Sequence, residues 1–97
     1  MNINDVPEAL CQKLRIEIIS SLIQSSRTFN ELLAITQASR GNLSVQLSKL
    51  EDWQYLSSHK YIKNKKSQTT YTITEQGMNQ FEAYVSLLQN ILLDSAK

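Results

Sequence analysis

The chain has 97 residues, of which 41% are apolar and 20% charged, with a net charge of +1 and one cysteine. That length is expected to hold a single domain, the apolar share excludes a disordered chain, and one thiol excludes an internal disulfide. No apolar run approaches the ~18 residues of a membrane span, and Met1-Asn2-Ile3-Asn4-Asp5 lacks a signal-peptide pattern, so a soluble, cytoplasmic protein is expected.

Asp5 and Pro7 predict the start of a first helix spanning residues 5–24, with Asp5 capping free amides and Pro7 in the first turn. Leu10, Leu14, Ile18 and Leu22 form one apolar stripe, and Ile16, Ile19 and Ile23 form a second on another side. One core is not expected to cover both, which assigns Ile16, Ile19 and Ile23 to a contact outside the domain. Cys11, among these leucines, is expected to be a buried structural thiol.

Ser25 and Ser26 interrupt the pattern, and Thr28-Phe29-Asn30-Glu31 reads as a capping box opening a short helix to about Thr36. After Gln37 and Ala38, Ser39 is placed to cap a third helix, with Leu43, Leu47 and Leu50 as its inward side. Two short helices separated by so tight a turn form a helix-turn-helix over residues 28–52.

The period then changes. Lys60–Lys63 and Thr69–Ile73 read as two strands around a polar tip at 64–68, giving a wing over residues 58–74. Thr74 is expected to cap a last helix over 75–94. On it, Met78, Phe81, Val85, Leu88 and Leu92 follow 3-4 spacing, and Tyr84, Leu87 and Ile91 form a neighbouring row. Together they cover roughly half the circumference, more than the ~100° stripe of an ordinary surface helix. The surplus predicts a homodimer held through Tyr84, Leu87, Leu88, Ile91 and Leu92 together with Ile16, Ile19 and Ile23. The fold expected is mainly α (α+β): a winged helix-turn-helix with a two-stranded wing and a long C-terminal dimerisation helix.

Charge is unevenly spread. Residues 40–66 carry six bases (Arg40, Lys49, Lys60, Lys63, Lys65 and Lys66) against two acids, whereas the rest carries four bases against seven acids. A basic middle between acidic ends suits a nucleic-acid face on a nearly neutral protein. Catalysis finds no support: His59 is the only histidine, and there is no Gly-rich phosphate loop or nucleophile–base spacing. Cys11, His59 and scattered carboxylates do not make a metal site, and no cofactor is expected.

The segments "FNELLAITQASRGNLSVQLSKLE" and "TTYTITEQG" resemble the MarR/ArsR-like winged-helix regulators, particularly a small subgroup of about this length. Gly41-Asn42-Leu43-Ser44 and Leu47 match one of its motifs; Thr69, Tyr71, Thr74 and Gly77 match the other, with Ile73 replacing Leu. Gln46 stands where the family usually has His, and Gln37 and Gln54 occupy turn positions where Gly is common. The resemblance covers residues 10–93 and implies a homodimeric transcriptional regulator.

In a helix-turn-helix the second helix enters the major groove. With the leucines inward, its outer side holds Gly41, Asn42, Val45, Ser48 and Lys49, flanked by Arg40, Ser44 and Gln46. Arg40 suits guanine, Asn42 or Gln46 suits adenine, and Val45 suits a thymine methyl. Ser39 and Ser44 suit phosphate oxygens, and Lys63, Lys65 and Lys66 on the wing suit backbone neutralisation. The expectation is therefore a sequence-specific regulator, by default a repressor, that binds double-stranded DNA at a pseudo-palindromic operator. The alternative is a winged-helix module that binds protein and not DNA. A small-molecule effector between subunits is left open, and the sequence names none.

Overall fold

The computed structural model describes residues 1–95. Two 3-10 turns, Ile3–Asp5 and Glu8–Leu10, precede helix α1 (Lys13–Gln24). Strand β1 (Arg27–Thr28), helix α2 (Phe29–Thr36) and helix α3 (Arg40–Asp52) follow. Strands β2 (Leu56–Lys63) and β3 (Lys66–Ile73) then lead into helix α4 (Glu75–Ser95).

The expected first helix is shortened by eight residues. Pro7 is extended (ψ 147°) and caps the second 3-10 turn; Asn2, not Asp5, accepts a side-chain cap bond, from the Asn4 amide. Gln12 is again extended, so the helix begins only at Lys13. Cys11 consequently leaves the apolar stripe: it is exposed, with Sγ 3.3 Å from the Pro7 carbonyl, and is not the buried thiol its neighbours suggested.

The core is formed by Leu10, Ile18, Ile19 and Leu22 of the N-terminal half, Leu32 of α2, Leu43, Leu47 and Leu50 of α3, and Tyr55 and Leu56. α1 sits at its centre, in contact with α2, α3, β3 and α4. This wrapping buries both stripes in part. Ile19 is 1% exposed within its own chain, which removes it from the expected dimer surface.

The capping box forms as read: the Thr28 hydroxyl accepts from the Glu31 amide (3.1 Å), and the Glu31 carboxylate accepts from the Thr28 amide (3.0 Å). That backbone donor holds the Glu31 carboxyl below the usual carboxylate range, with the Thr28 hydroxyl and Arg27 assisting. Thr28 has a second task, because β1 pairs with β3 (Arg27 opposite Tyr71, Thr28 opposite Thr70) to make the sheet order β1-β3-β2. A two-residue strand has no alternation to betray it, and the sequence reading missed it.

The wing is longer than expected. β2 and β3 pair antiparallel from Leu56 opposite Ile73 to Lys63 opposite Lys66, leaving only Asn64 and Lys65 as the turn. Both have positive φ (54° and 63°), the mirror-image turn whose twist matches paired strands. Ser67 and Gln68, expected in the polar tip, belong to β3, and Ser57 and Ser58, ahead of the expected first strand, belong to β2. In a hairpin this exposed, the backbone ladder makes the strand and side chains need not be apolar.

α4 is set by its first turn. The Thr74 hydroxyl accepts from the Gly77 amide (3.0 Å) and donates to the Gln54 carbonyl (2.6 Å). Gly77 is buried against the Tyr55 carbonyl, where a Cβ would collide with that oxygen. We expect Gly77→Ala to destabilise the protein by at least the ~1–3 kcal/mol typical of overpacking, read from urea unfolding. A midpoint equal to that of the parent chain would contradict this packing.

Candidate nucleic-acid interface

α3 is positioned by its ends and by one edge. The Ser39 hydroxyl accepts from the Asn42 amide (3.2 Å), capping the start as expected. The preceding turn needs Gln37 in the left-handed region (φ 56°), and the following one needs Gln54 there (φ 65°). Both glutamines thus hold backbone positions that glycine fills more cheaply. Leu43, Leu47 and Leu50 are 0–1% exposed, and burying each stabilises the fold by about 1.5–3 kcal/mol.

What remains faces solvent. Ser39, Arg40, Gly41, Asn42, Ser44, Val45, Ser48 and Lys49 are all exposed, Val45 by 50%. Arg40 is tethered sideways: its guanidinium lies 5.6 Å from the Phe29 ring centre and donates to Asn30 Oδ1 (3.3 Å). It lines a polar cleft with Thr28, Asn30, Ser67 and Thr69, where the start of α2, the start of α3 and the wing converge. Lys63, Lys65 and Lys66 are exposed at the wing tip. Cross-strand bonds stiffen the wing: Tyr61 donates to Gln68 (3.0 Å), and Thr70 donates to Tyr61 (3.3 Å). Burial raises the Tyr71 hydroxyl above the ordinary tyrosine range, with Glu51 adding to it.

Gln46 is the exception. It is 5% exposed and does not reach the outer face, because its amide is drawn inward by Arg15. Arg15 Nε donates to Gln46 Oε1 (2.8 Å) and Arg15 Nη1 donates to the Glu8 carbonyl (2.9 Å). The guanidinium sits 5.0 Å from the Trp53 ring centre. Gln46 in turn donates to Asn42 Oδ1 (3.3 Å). The sequence reading passed over Arg15 and Trp53. The available signal was a base on the inward-facing stretch Leu14–Ile18, which demands a buried partner.

Of the apolar surface proposed for a partner chain, Leu88, Ile91 and Leu92 are 41%, 43% and 71% exposed, and Val85 and Leu93 are exposed beside them. Ile16, Ile23, Tyr84 and Leu87 are half-buried. Tyr84 and Ile23 pack on the core, while Ile16 and Tyr84 share a groove with Ile3, Val6 and Leu10. Towards its end α4 borders the N-terminal residues, where Leu87, Asn90 and Ile91 line a groove with Met1, Asn2 and Ile3, and the molecule measures 58 × 25 × 21 Å. No described helix is long and apolar enough to cross a membrane.

This arrangement of capped helix pair, outward third helix and basic hairpin is a winged helix. The profile of the winged helix DNA-binding domain family matches residues 14–92, and the chain belongs to that family. Solved structures agree in fold. Rv0081 of M. tuberculosis superposes with a TM-score of 0.79 at 23% identity, covering 93% of this chain and 88% of the other. A regulator from Enterococcus faecalis, described as of the MarR family, gives 0.80 at 18% identity, covering 97% and 88%. Bacillus subtilis PadR in complex with operator DNA gives 0.70 at 17% identity, covering 76% of this chain and 47% of PadR, so this chain spans about half of that protein. A search of curated proteins gives no match. The resemblance to MarR/ArsR-like proteins and the winged-helix fold read from the sequence are both borne out.

Gly41 lies in the first turn of α3 with nothing within 4 Å of where its Cβ would be. The fold therefore has no use for a glycine there, and Gly41→Ala should leave stability unchanged or raise it by up to ~1 kcal/mol in thermal unfolding. A clear loss would mean that Gly41 serves the fold.

Proposed function

We propose that this protein is a sequence-specific, DNA-binding transcriptional regulator that acts in the cytoplasm as a homodimer on a pseudo-palindromic operator, in the default case as a repressor. The observation that carries this reading is the outer face of α3. Ser39, Arg40, Gly41, Asn42, Ser44, Val45 and Lys49 are presented together while the leucine edge is locked inside. In such a geometry, residues at the start of the second helix reach base edges in the major groove. Arg40 offers a donor fork for guanine, Asn42 meets a base edge, and Val45 meets a thymine methyl. Ser39, Ser44 and Lys49 hold the flanking phosphates. Gly41, in open space, lets the helix start approach closely.

Lys63, Lys65 and Lys66 extend the contact to the neighbouring backbone, where they release counterions and read little sequence. Lys65 supports this role through its backbone. It stands at positive φ in the turn position where glycine is favoured, an arrangement that costs roughly 1 kcal/mol. A lysine kept in that place gives up stability for a charge at the tip. In mobility-shift titrations, Lys65→Gly should therefore stabilise the hairpin, yet weaken binding to every duplex. The slope of log K against log salt should fall by about one phosphate contact. An unchanged slope would remove Lys65 from the contact, and no binding by the parent chain at low salt would overturn the regulator reading.

The homodimer rests on the exposed apolar residues of α4. Leu88, Ile91 and Leu92 expose an apolar stripe towards the end of α4, which a second α4 would cover. Pairing there would set two α3 helices about one turn of DNA apart. Leu88→Asp should place a charge in this seam and give a monomer in sedimentation equilibrium. A variant still dimeric at the parent concentration would move the interface off α4.

A further inference from the structure

We propose that Arg15, buried and remote from any DNA, fixes which base Asn42 reads by setting the polarity of a two-amide relay. This deepens the DNA-binding reading above and rests on it. A guanidinium has five donors and no acceptor, so Gln46 must face Arg15 with its carbonyl oxygen, as the 2.8 Å contact from Arg15 Nε requires. The Gln46 amide nitrogen is then left to donate, and it does so to Asn42 Oδ1 at 3.3 Å. Asn42 is thereby oriented with its oxygen turned towards its own helix and its Nδ2 protons turned outward.

Arg15 cannot relax this arrangement by rotating. It is 6% exposed, held by the Glu8 carbonyl at 2.9 Å and packed over Trp53 at 5.0 Å. The polarity of both amides is consequently a property of the folded protein, present before DNA arrives. The consequence is chemical. An asparagine that pairs with adenine uses its oxygen and its nitrogen together. Asn42 offers the base its nitrogen, so it suits major-groove acceptors: the adjacent guanine N7 and O6 best, then thymine O4 or the single adenine N7. The bidentate adenine pair expected for Asn42 from its residue type alone is lost, and guanine or thymine is favoured over it. Arg15 is a positioning residue, acting through Gln46 on Asn42.

Gln46→Glu tests this. A carboxylate only accepts, so one oxygen keeps Arg15 and the other demands a donor from Asn42. The Asn42 amide must then reverse and present Oδ1. The variant keeps the size of the side chain and gives the buried Arg15 charge an acidic partner. Selection from a random duplex library, followed by sequencing, should show the parent preferring guanine or thymine at one position of each half-site. The variant should prefer cytosine or adenine there by about ten-fold, with the rest of the motif unchanged. Arg15→Leu, which frees the Gln46 amide to turn, should flatten that one position. If the parent selects a motif and Gln46→Glu selects the same one, the relay is overturned while DNA binding stands. If the parent selects no duplex, both readings fall together. The free parent protein supplies a readout that needs no variant to fold: by NMR, the Gln46 Nε2 protons should exchange with water more slowly than the Asn42 Nδ2 protons. The opposite order would overturn the relay.

Discussion

Leu43, Leu47 and Leu50 enter the core one after another along α3, and Gln46 joins them on the same edge through its bond to Arg15. An α-helix has only 3.6 residues per turn, so fixing this edge fixes where every other side chain points. Asn42, Val45 and Lys49 are outward because the leucines are inward. The core stabilises the fold and aims the recognition surface in the same act, and a slip of α3 by one residue would bury the surface and expose the leucines.

Around that anchor, the chain departs from local preference in telling places. Gly41 stands in the first turn of a helix where alanine would fit, and Lys65 occupies a turn position suited to glycine. Gly77 is the opposite case: a glycine the fold demands, since the Tyr55 carbonyl fills the space a side chain would need. With Gln37 and Gln54 held at positive φ in the turns that flank α3, departures from local propensity lie around α3 and at the wing tip, where function is expected to override stability.

Much of this was legible beforehand. The capping box at Thr28 and Glu31, the Ser39 and Thr74 caps and the leucine edge of α3 follow from local chemistry, which acts over three or four residues and leaves its mark in sequence; the turn positions of Gln37 and Gln54 were marked only by the family resemblance. What escaped was set by partners distant in the chain. Arg15 meets Gln46 across 31 positions, so nothing near Gln46 warned that it faces inward. β1 is too short to alternate, and Ile19 looked surplus because the contacts that wrap α1 on several sides cannot be read from α1 itself. Cys11 was misread because the helix thought to carry it does not begin until Lys13.

The most direct test of the account is an NMR map of backbone amides on addition of a random-sequence duplex at low salt. Shifts should concentrate at residues 39–49 and 63–66, fade as salt rises, and leave the exposed end of α4 unmoved by the duplex. Shifts confined to α4 and the N-terminal turns, with α3 and the wing silent, would contradict it.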